Sequence, residues 1–269
     1  MNDTQTILKK NYNIIWKNFS NRNEYKSLIE DRKTTRKVYY NLISRVFQSF
    51  AEPIVLELGS GTGIDINNIY ESNRNIRPFA SDILLRSVSI GCQISKSLSN
   101  HINFFVGDTL ILPIRDDQFD VVFSQGLIEH FKNPLAVIKE QARVLRKDGY
   151  LIINVPQKYT GYTLMKRKKI NCNHWDLGWE SEFSYNDLIS LGNRAGLSKV
   201  SVYGYQYWKS WKEPAFVIKD LFDKFYRRIP LERINLLANF RKGYNALIRK
   251  IERKWGHYFL QNIVVVFKK

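Results

Sequence analysis

The sequence predicts an α/β fold, a parallel sheet covered by helices on both faces. Three observations carry this prediction. Short apolar runs recur at regular intervals between residues 54 and 155, and segments of helical period lie between most of them. The first run also ends directly in a glycine turn that opens a helix.

The elements follow in order. Residues 5–19 and 24–50 place apolar side chains at helical spacing (Leu28, Ile29, Val38, Leu42, Ile43, Val46, Phe47) and stop before Pro53. Residues 1–50 therefore read as a helical N-terminal segment. Ile54–Leu58, Pro78–Ser81, Ile102–Val106, Phe119–Phe123 and Tyr150–Val155 read as strands, with helices over Ile83–Leu98 and Pro134–Leu145. The polar, basic stretch after Pro156 is too irregular for one helix and is read as an insertion over about 157–182. Asn186–Ala195 reads as a helix ended by Gly196, and Lys199–Gln206 as a strand. Residues 212–255 look helical, inside a second insertion over about 209–256, and Tyr258–Phe267 looks like a last strand. Residues 51–269 thus make one domain with two insertions.

Composition sets the outer limits. The chain has 269 residues and 44% hydrophobic side chains, enough for a real core. Its two cysteines, Cys92 and Cys172, make neither a four-thiolate zinc site nor a disulfide scaffold. With no signal-like apolar stretch at the start and no run approaching a transmembrane span, the expected location is cytoplasmic. Lys and Arg number 42 against 25 Asp and Glu, for a net charge of +17. Mapped along the chain, residues 1–50 carry +6, residues 51–155 carry −2 and residues 156–269 carry +13. A near-neutral core with basic flanks suits either anionic partners or a solvated basic surface.

The chemistry gathers at the ends of the predicted strands. The first strand runs into Gly59-Ser60-Gly61-Thr62-Gly63, where backbone turns sharply and approaches a ligand without a Cβ in the way. The spacing is G-x-G-x-G, and Ile64 stands where G-x-G-x-x-G requires glycine. Glu57 lies two residues before the first glycine and favours a cationic ammonium or sulfonium ligand over a pyrophosphate. Asp82 ends the second strand, at the distance where an acid accepts hydrogen bonds from ribose hydroxyls. Asp108 follows the third strand, where a carboxylate can accept from an adenine amino group. Each Asp alone also suits a turn or a cap. Three acids at the ends of successive strands, the ligand edge of open α/β sheets, point to a site.

VLELGSGTG (Val55–Gly63), ASDI (Ala80–Ile83), GDTLILPIRDDQFDVVFSQGLIEHF (Gly107–Phe131) and RVLRKDGYLIINVP (Arg143–Pro156) resemble class I S-adenosylmethionine-dependent methyltransferases, in particular the ubiquinone and menaquinone biosynthesis group. The resemblance covers roughly residues 50–205. It implies a Rossmann-like seven-stranded, mostly parallel sheet with an antiparallel last strand, and S-adenosyl-L-methionine as cofactor. It further implies that Gly59, Ser60 and Gly61 face the methionine moiety with Glu57 beside it, and that Asp82 holds the ribose. Asp108 and Thr109 would hold the adenine, Ile83 would pack on its ring, and Gln125 would lie at the methionine end.

For the acceptor, His130 is the candidate general base, since an imidazole titrates near neutral pH. The Glu129-His130 pair resembles one in quinone O-methyltransferases; the alternative is a histidine that packs at a helix start. No third ligand accompanies the pair, so no metal is assigned. His174, in the basic insertion, reads as an ordinary surface-loop residue, with a lid residue that reaches substrate as the alternative, and Cys172 has no complementary pair. Nucleic acid is disfavoured as a partner. Residues 124–127 read Ser-Gln-Gly-Leu rather than an Asn/Asp-Pro-Pro-aromatic turn, and no cysteine lies near strand four or five to act as nucleophile. The expected acceptor is a small or lipid-linked molecule methylated at oxygen. RNA or protein methylation through the basic flanks is the alternative, as is cofactor binding without transfer.

The second insertion carries an apolar helical stripe: Leu231, Ile234, Leu237, Phe240, Tyr244, Leu247, Ile251 and Trp255. Residues 224–255 hold 10 basic and 2 acidic side chains. Such a helix either lies on an anionic membrane surface, giving peripheral contact through 212–255, or packs its stripe on the domain. Trp208 and Trp211, with Tyr203, Tyr205 and Tyr207, suit an aromatic or prenylated acceptor or a core. Oligomeric state is not specified by the sequence.

Overall fold

A computed structural model describes residues 22–175, 180–206, 220–221, 224 and 235–269. Seven strands form one sheet: β1 (Ile54–Leu58), β2 (Arg77–Asp82), β3 (Asn103–Val106), β4 (Phe119–Gln125), β5 (Leu145–Pro156), β6 (Ser198–Tyr205) and β7 (Asn262–Lys268). Their order is β3-β2-β1-β4-β5-β7-β6. Strands β1 to β5 pair in parallel, and β7 runs antiparallel to both β5 and β6. The expected Rossmann-like sheet with an antiparallel last strand is therefore present.

The helices are α1 (Arg22–Thr35), α2 (Lys37–Phe47), α3 (Ile64–Ser72), α4 (Leu85–Ser97), α5 (Pro134–Val144), α6 (Gly161–Asn171), α7 (Tyr185–Arg194) and α8 (Asn235–Phe259). The period of two along each strand divides the core into two layers. Leu56, Leu58, Val122, Ile153 and Val265 face α5 and α7, meeting Val137, Ile138 and Leu188. Val55, Val121, Phe123, Ile152 and Val264 face the other way, against Tyr39, Ile43 and Phe47 of α2 and Ile66 and Ile69 of α3. Both faces are covered, which is why the central strands are apolar throughout. Each such side chain contributes about 1.5–3 kcal/mol by leaving water, so truncating Phe123, wholly buried mid-sheet, would cost about 3–5 kcal/mol.

Three elements depart from the sequence reading. The helical stretch 24–50 divides at Arg36, whose guanidinium turns inward to donate to Asp65. The insertion after Pro156 contains a full helix, α6, capped by the Thr160 hydroxyl accepting from Thr163 N–H at 3.3 Å. Its period is hidden because its buried face is Thr163 and Lys166, while Leu164 points to solvent. Finally, Tyr258 and Phe259 belong to α8 and β7 starts at Asn262. The Leu260 N–H still bonds back to Gly256 O at 2.8 Å, so helical bonding runs past the point where the apolar run begins.

Candidate active site

The cofactor edge is built from backbone turns. Gly59 and Gly63 both have φ of +64°, a left-handed conformation that glycine adopts without strain. Space demands glycine there as well. A methyl group added at Gly59 would lie 2.6 Å from Leu127 Cδ1, and one at Gly63 would lie 2.7 Å from the Phe104 ring. The Ser60 N–H donates to Ser81 O at 3.0 Å, which fastens the loop to β2. Asp82 accepts from Gly61 N–H and from Leu84 N–H, each at 2.9 Å, and Asp108 accepts from Leu110 N–H at 3.0 Å. Each carboxylate has more lone pairs than these bonds use, so both retain acceptor capacity for a ligand. Burial pushes the Asp82 carboxyl up, and its backbone N–H partners oppose that.

Glu57 is buried and accepts from Ile66 N–H at 3.0 Å in the first turn of α3, so it also ties off that helix. Burial, and then repulsion from Asp65, pushes it well above the usual carboxylate range. Asp65 behaves oppositely. Burial works against its charge, but Arg36 and Arg32 more than reverse this and hold it below its usual value. The Tyr40 hydroxyl donates to Asp65 at 2.5 Å and Arg32 lies 3.6 Å away. Helix α1 and the head of α2 thus close one wall of the site.

The other end is organised around a 3-10 turn, Ile128–His130, after β4. The Ser181 N–H donates to Glu129 O at 2.7 Å and clips the insertion to this turn. Behind it Lys166, only 1% exposed, meets Glu180 at 2.7 Å, and the Trp175 indole N–H donates to the same carboxylate at 2.8 Å. The Tyr162 ring meets Trp175 edge to face at 6.5 Å. Glu129 is buried, and its Oε2 has no hydrogen-bond partner among the described residues. Burial, then the nearby Glu180, pushes its carboxyl up to about 8. Burial lowers His130, so the imidazole is neutral at pH 7 and able to accept a proton.

Both ends open into one cavity of about 580 Å³ at the carboxyl edge of the parallel strands. All ten sequence-predicted residues line it: Glu57, Gly59, Ser60, Gly61, Asp82, Ile83, Asp108, Thr109, Gln125 and His130. His174 is exposed and does not line it, and Cys92 and Cys172 are exposed free thiols. Tyr205 lines the cavity and accepts from the Asn154 amide at 2.6 Å, whereas Tyr203 packs into the core. Tyr207, Trp208, Trp211 and much of the predicted stripe lie outside the described residues. Among the described residues no group of three His, Cys, Asp or Glu side chains is placed to hold a metal. Sequence reasoning missed Arg32, Arg36, Asp65, Tyr162, Trp175 and Glu180, all of which line the cavity.

S-adenosylmethionine fits this arrangement on its donor set. The Ser60 hydroxyl is buried on the cavity wall without a partner among the described residues, ready for a polar ligand. Asp82 and Asp108 retain lone pairs at the successive positions that sugar and base hydroxyl or amino groups need.

Comparison with known proteins agrees. Residues 56–153 match a methyltransferase domain family. A malonyl-[acyl-carrier protein] O-methyltransferase from Marinomonas sp. is 31% identical over 101 residues, which is 38% of this chain and 37% of that protein. A probable tRNA methyltransferase 9B from Mus musculus is 28% identical over 162 residues, 58% of this chain and 29% of that protein. The chain thus spans well under half the length of these relatives. Among solved structures, an S-adenosylmethionine-dependent methyltransferase from Thermotoga maritima, described as a possible histamine N-methyltransferase, superposes with a TM-score of 0.57 at 18% identity. That match covers 92% of this chain and 95% of the other. Residues 56–153 thus carry a methyltransferase domain, and the strand order together with the edge of glycines and acids fits S-adenosylmethionine as its cofactor.

Proposed function

We propose that the protein transfers a methyl group from S-adenosylmethionine to the oxygen of a small or lipid-linked acceptor. The observation that carries this reading is the single cavity joining a cofactor edge (Gly59 to Gly61, Asp82, Asp108) to a buried Glu129-His130 pair. When bound, S-adenosylmethionine supplies a sulfonium methyl group open to in-line displacement. Asp82 would hold the ribose hydroxyls, Asp108 and Thr109 the adenine, and Ser60 with Glu57 the methionine end. Phe131, Tyr162 and Trp175 line the acceptor end, and a bound acceptor covering them would displace water and strengthen the polar contacts inside. The neutral His130 would take the acceptor's hydroxyl proton as the oxygen gains the methyl group and the methyl C–S bond breaks to leave a neutral thioether, a role typically worth about 10²–10⁴-fold in rate. Glu129, with an oxygen left over, accepts a hydrogen bond from the acceptor and orients it.

A second reading, methylation of RNA, is favoured by the probable tRNA methyltransferase among the relatives and by the basic flanks. The test is transfer of isotopically labelled methyl from S-adenosylmethionine into a host-cell extract, then separated into lipid, small-molecule, protein and nucleic-acid fractions. Label in the lipid or small-molecule fraction supports the proposal. Label in RNA transfers the assignment to the second reading.

A further inference from the structure

Helix α8 carries its apolar stripe on the wrong side for packing. Leu247 is 55% exposed, Ile251 39%, Trp255 49% and Tyr258 47%. Spaced by four, four and three, they share one face. The opposite face holds the domain: Gly256 and His257 are buried, and Gly256 lies so close to Gly204 that a methyl group on Gly204 would sit 2.1 Å from the Gly256 carbonyl carbon. Among its described side chains, then, the helix docks by Gly256 and His257, with Ile248 and Phe259 half-buried, and leaves Leu247, Ile251, Trp255 and Tyr258 exposed, the last against Tyr185.

The border of the stripe is basic. Exposed Lys250 and Lys254 flank it, Arg249 and Arg253 lie further round, and Lys254 Nζ rests 5.1 Å from the Trp255 ring centroid. An apolar stripe with Trp and Tyr at its end and lysines along its edge matches the two-layer chemistry of a bilayer interface, acyl chains below and anionic headgroups above. The helix also ends at the cavity rim. The Gln157 amide donates to His257 O at 3.3 Å and Tyr258 O at 3.0 Å, while its oxygen accepts from the N–H of Tyr159, another exposed aromatic. Neighbouring Pro156, Gln261 and Asn262 line the cavity.

We propose that the exposed face of α8, Leu247, Ile251, Trp255 and Tyr258 with Lys250 and Lys254, docks the protein on an anionic lipid bilayer beside the mouth of its cavity. This goes beyond methyl transfer and stands or falls without it. No helix among the described residues is long and apolar enough to cross a membrane, so the contact is made at the surface.

The test is co-sedimentation of the full chain with vesicles of phosphatidylcholine alone and of phosphatidylcholine mixed with phosphatidylglycerol. Binding should be about tenfold or more stronger to the anionic vesicles and weaken as salt is raised. Leu247→Ser/Trp255→Ser, at positions already facing solvent, should lose about tenfold in vesicle binding with an unchanged melting temperature. Lys250→Glu/Lys254→Glu should lose the preference for anionic lipid. Absence of vesicle binding overturns the proposal, as does binding unaffected by the Leu247/Trp255 variant. Light scattering that shows a dimer dispersed by that variant assigns the face to a second copy instead. RNA binding that needs the stripe residues assigns it to nucleic acid.

Discussion

Along β1 to β3 Glu57, Asp82 and Asp108 are each held by backbone N–H groups: Asp82 by Gly61 and Leu84, Asp108 by Leu110, Glu57 by Ile66. Beyond β4 one insertion supplies the supports, side chains among them. Lys166 meets Glu180 across 14 residues, and Ser181 reaches back to Glu129. On the proposed function, the cofactor end is therefore held by backbone turns, and the acceptor end by the docking of an insertion.

Substitutions at the two ends should separate accordingly. The largest effect is expected at His130: His130→Ala should cut turnover by about 10²–10⁴-fold while leaving cofactor affinity within about twofold. Equal losses in both would merge the two ends. Next is the buried ion pair. Lys166→Met leaves Glu180 uncompensated and should cost about 3–5 kcal/mol in urea denaturation. Adding Glu180→Leu should restore much of that, and a double variant no more stable than Lys166→Met would deny the pairing.

At the cofactor end, Asp82→Ala should weaken S-adenosylmethionine by about 100-fold in calorimetric titration, since hydrogen bonds to a charged group are worth about 1.5–3 kcal/mol each. Its melting temperature should also fall, because the N–H groups of Gly61 and Leu84 lose their acceptor. Unchanged affinity would falsify the ribose assignment. The smallest effect is a pH dependence. The folded chain keeps a proton on Glu129 up to about pH 8, whereas the unfolded chain releases it near the ordinary glutamate value of 4.5. Stability from this group is complete below that ordinary value and is lost as pH rises through the window to about 8. Glu129→Gln should remove that loss, gaining about 1–3 kcal/mol over wild type at alkaline pH. Parallel stability curves for the two proteins would mean Glu129 does not titrate there.

The same division explains what could be read from the sequence. The strands, the glycine turn and the acids at their ends are local patterns, and all ten named residues line the cavity. Apart from Glu129 and His130, the acceptor end left no comparable trace. Lys166 sits in a run with Arg167, Lys168 and Lys169, and nothing in the spacing marks it as the buried one. Asp65 looks like an ordinary helix-start acid, yet its partners Arg32 and Arg36 lie about thirty residues earlier, in helices read as a separate segment. The α8 stripe was visible as a period, but a period fixes only which residues share a face. Which way that face turns is set by Gly204 and Gly256, whose close approach is a tertiary fact.

Leu127 fills the space beside Gly59 where any other residue would carry its Cβ, and it directly precedes the turn bearing Glu129 and His130. The glycine loop and the turn at the other end of the cavity are thus in contact through one leucine. On the proposed function, an adjustment of the loop on filling would press on this turn, and the linkage would run both ways. Whatever factor one ligand applies to the other's affinity is returned in full, so order of addition would alter the path of assembly and leave its total free energy the same.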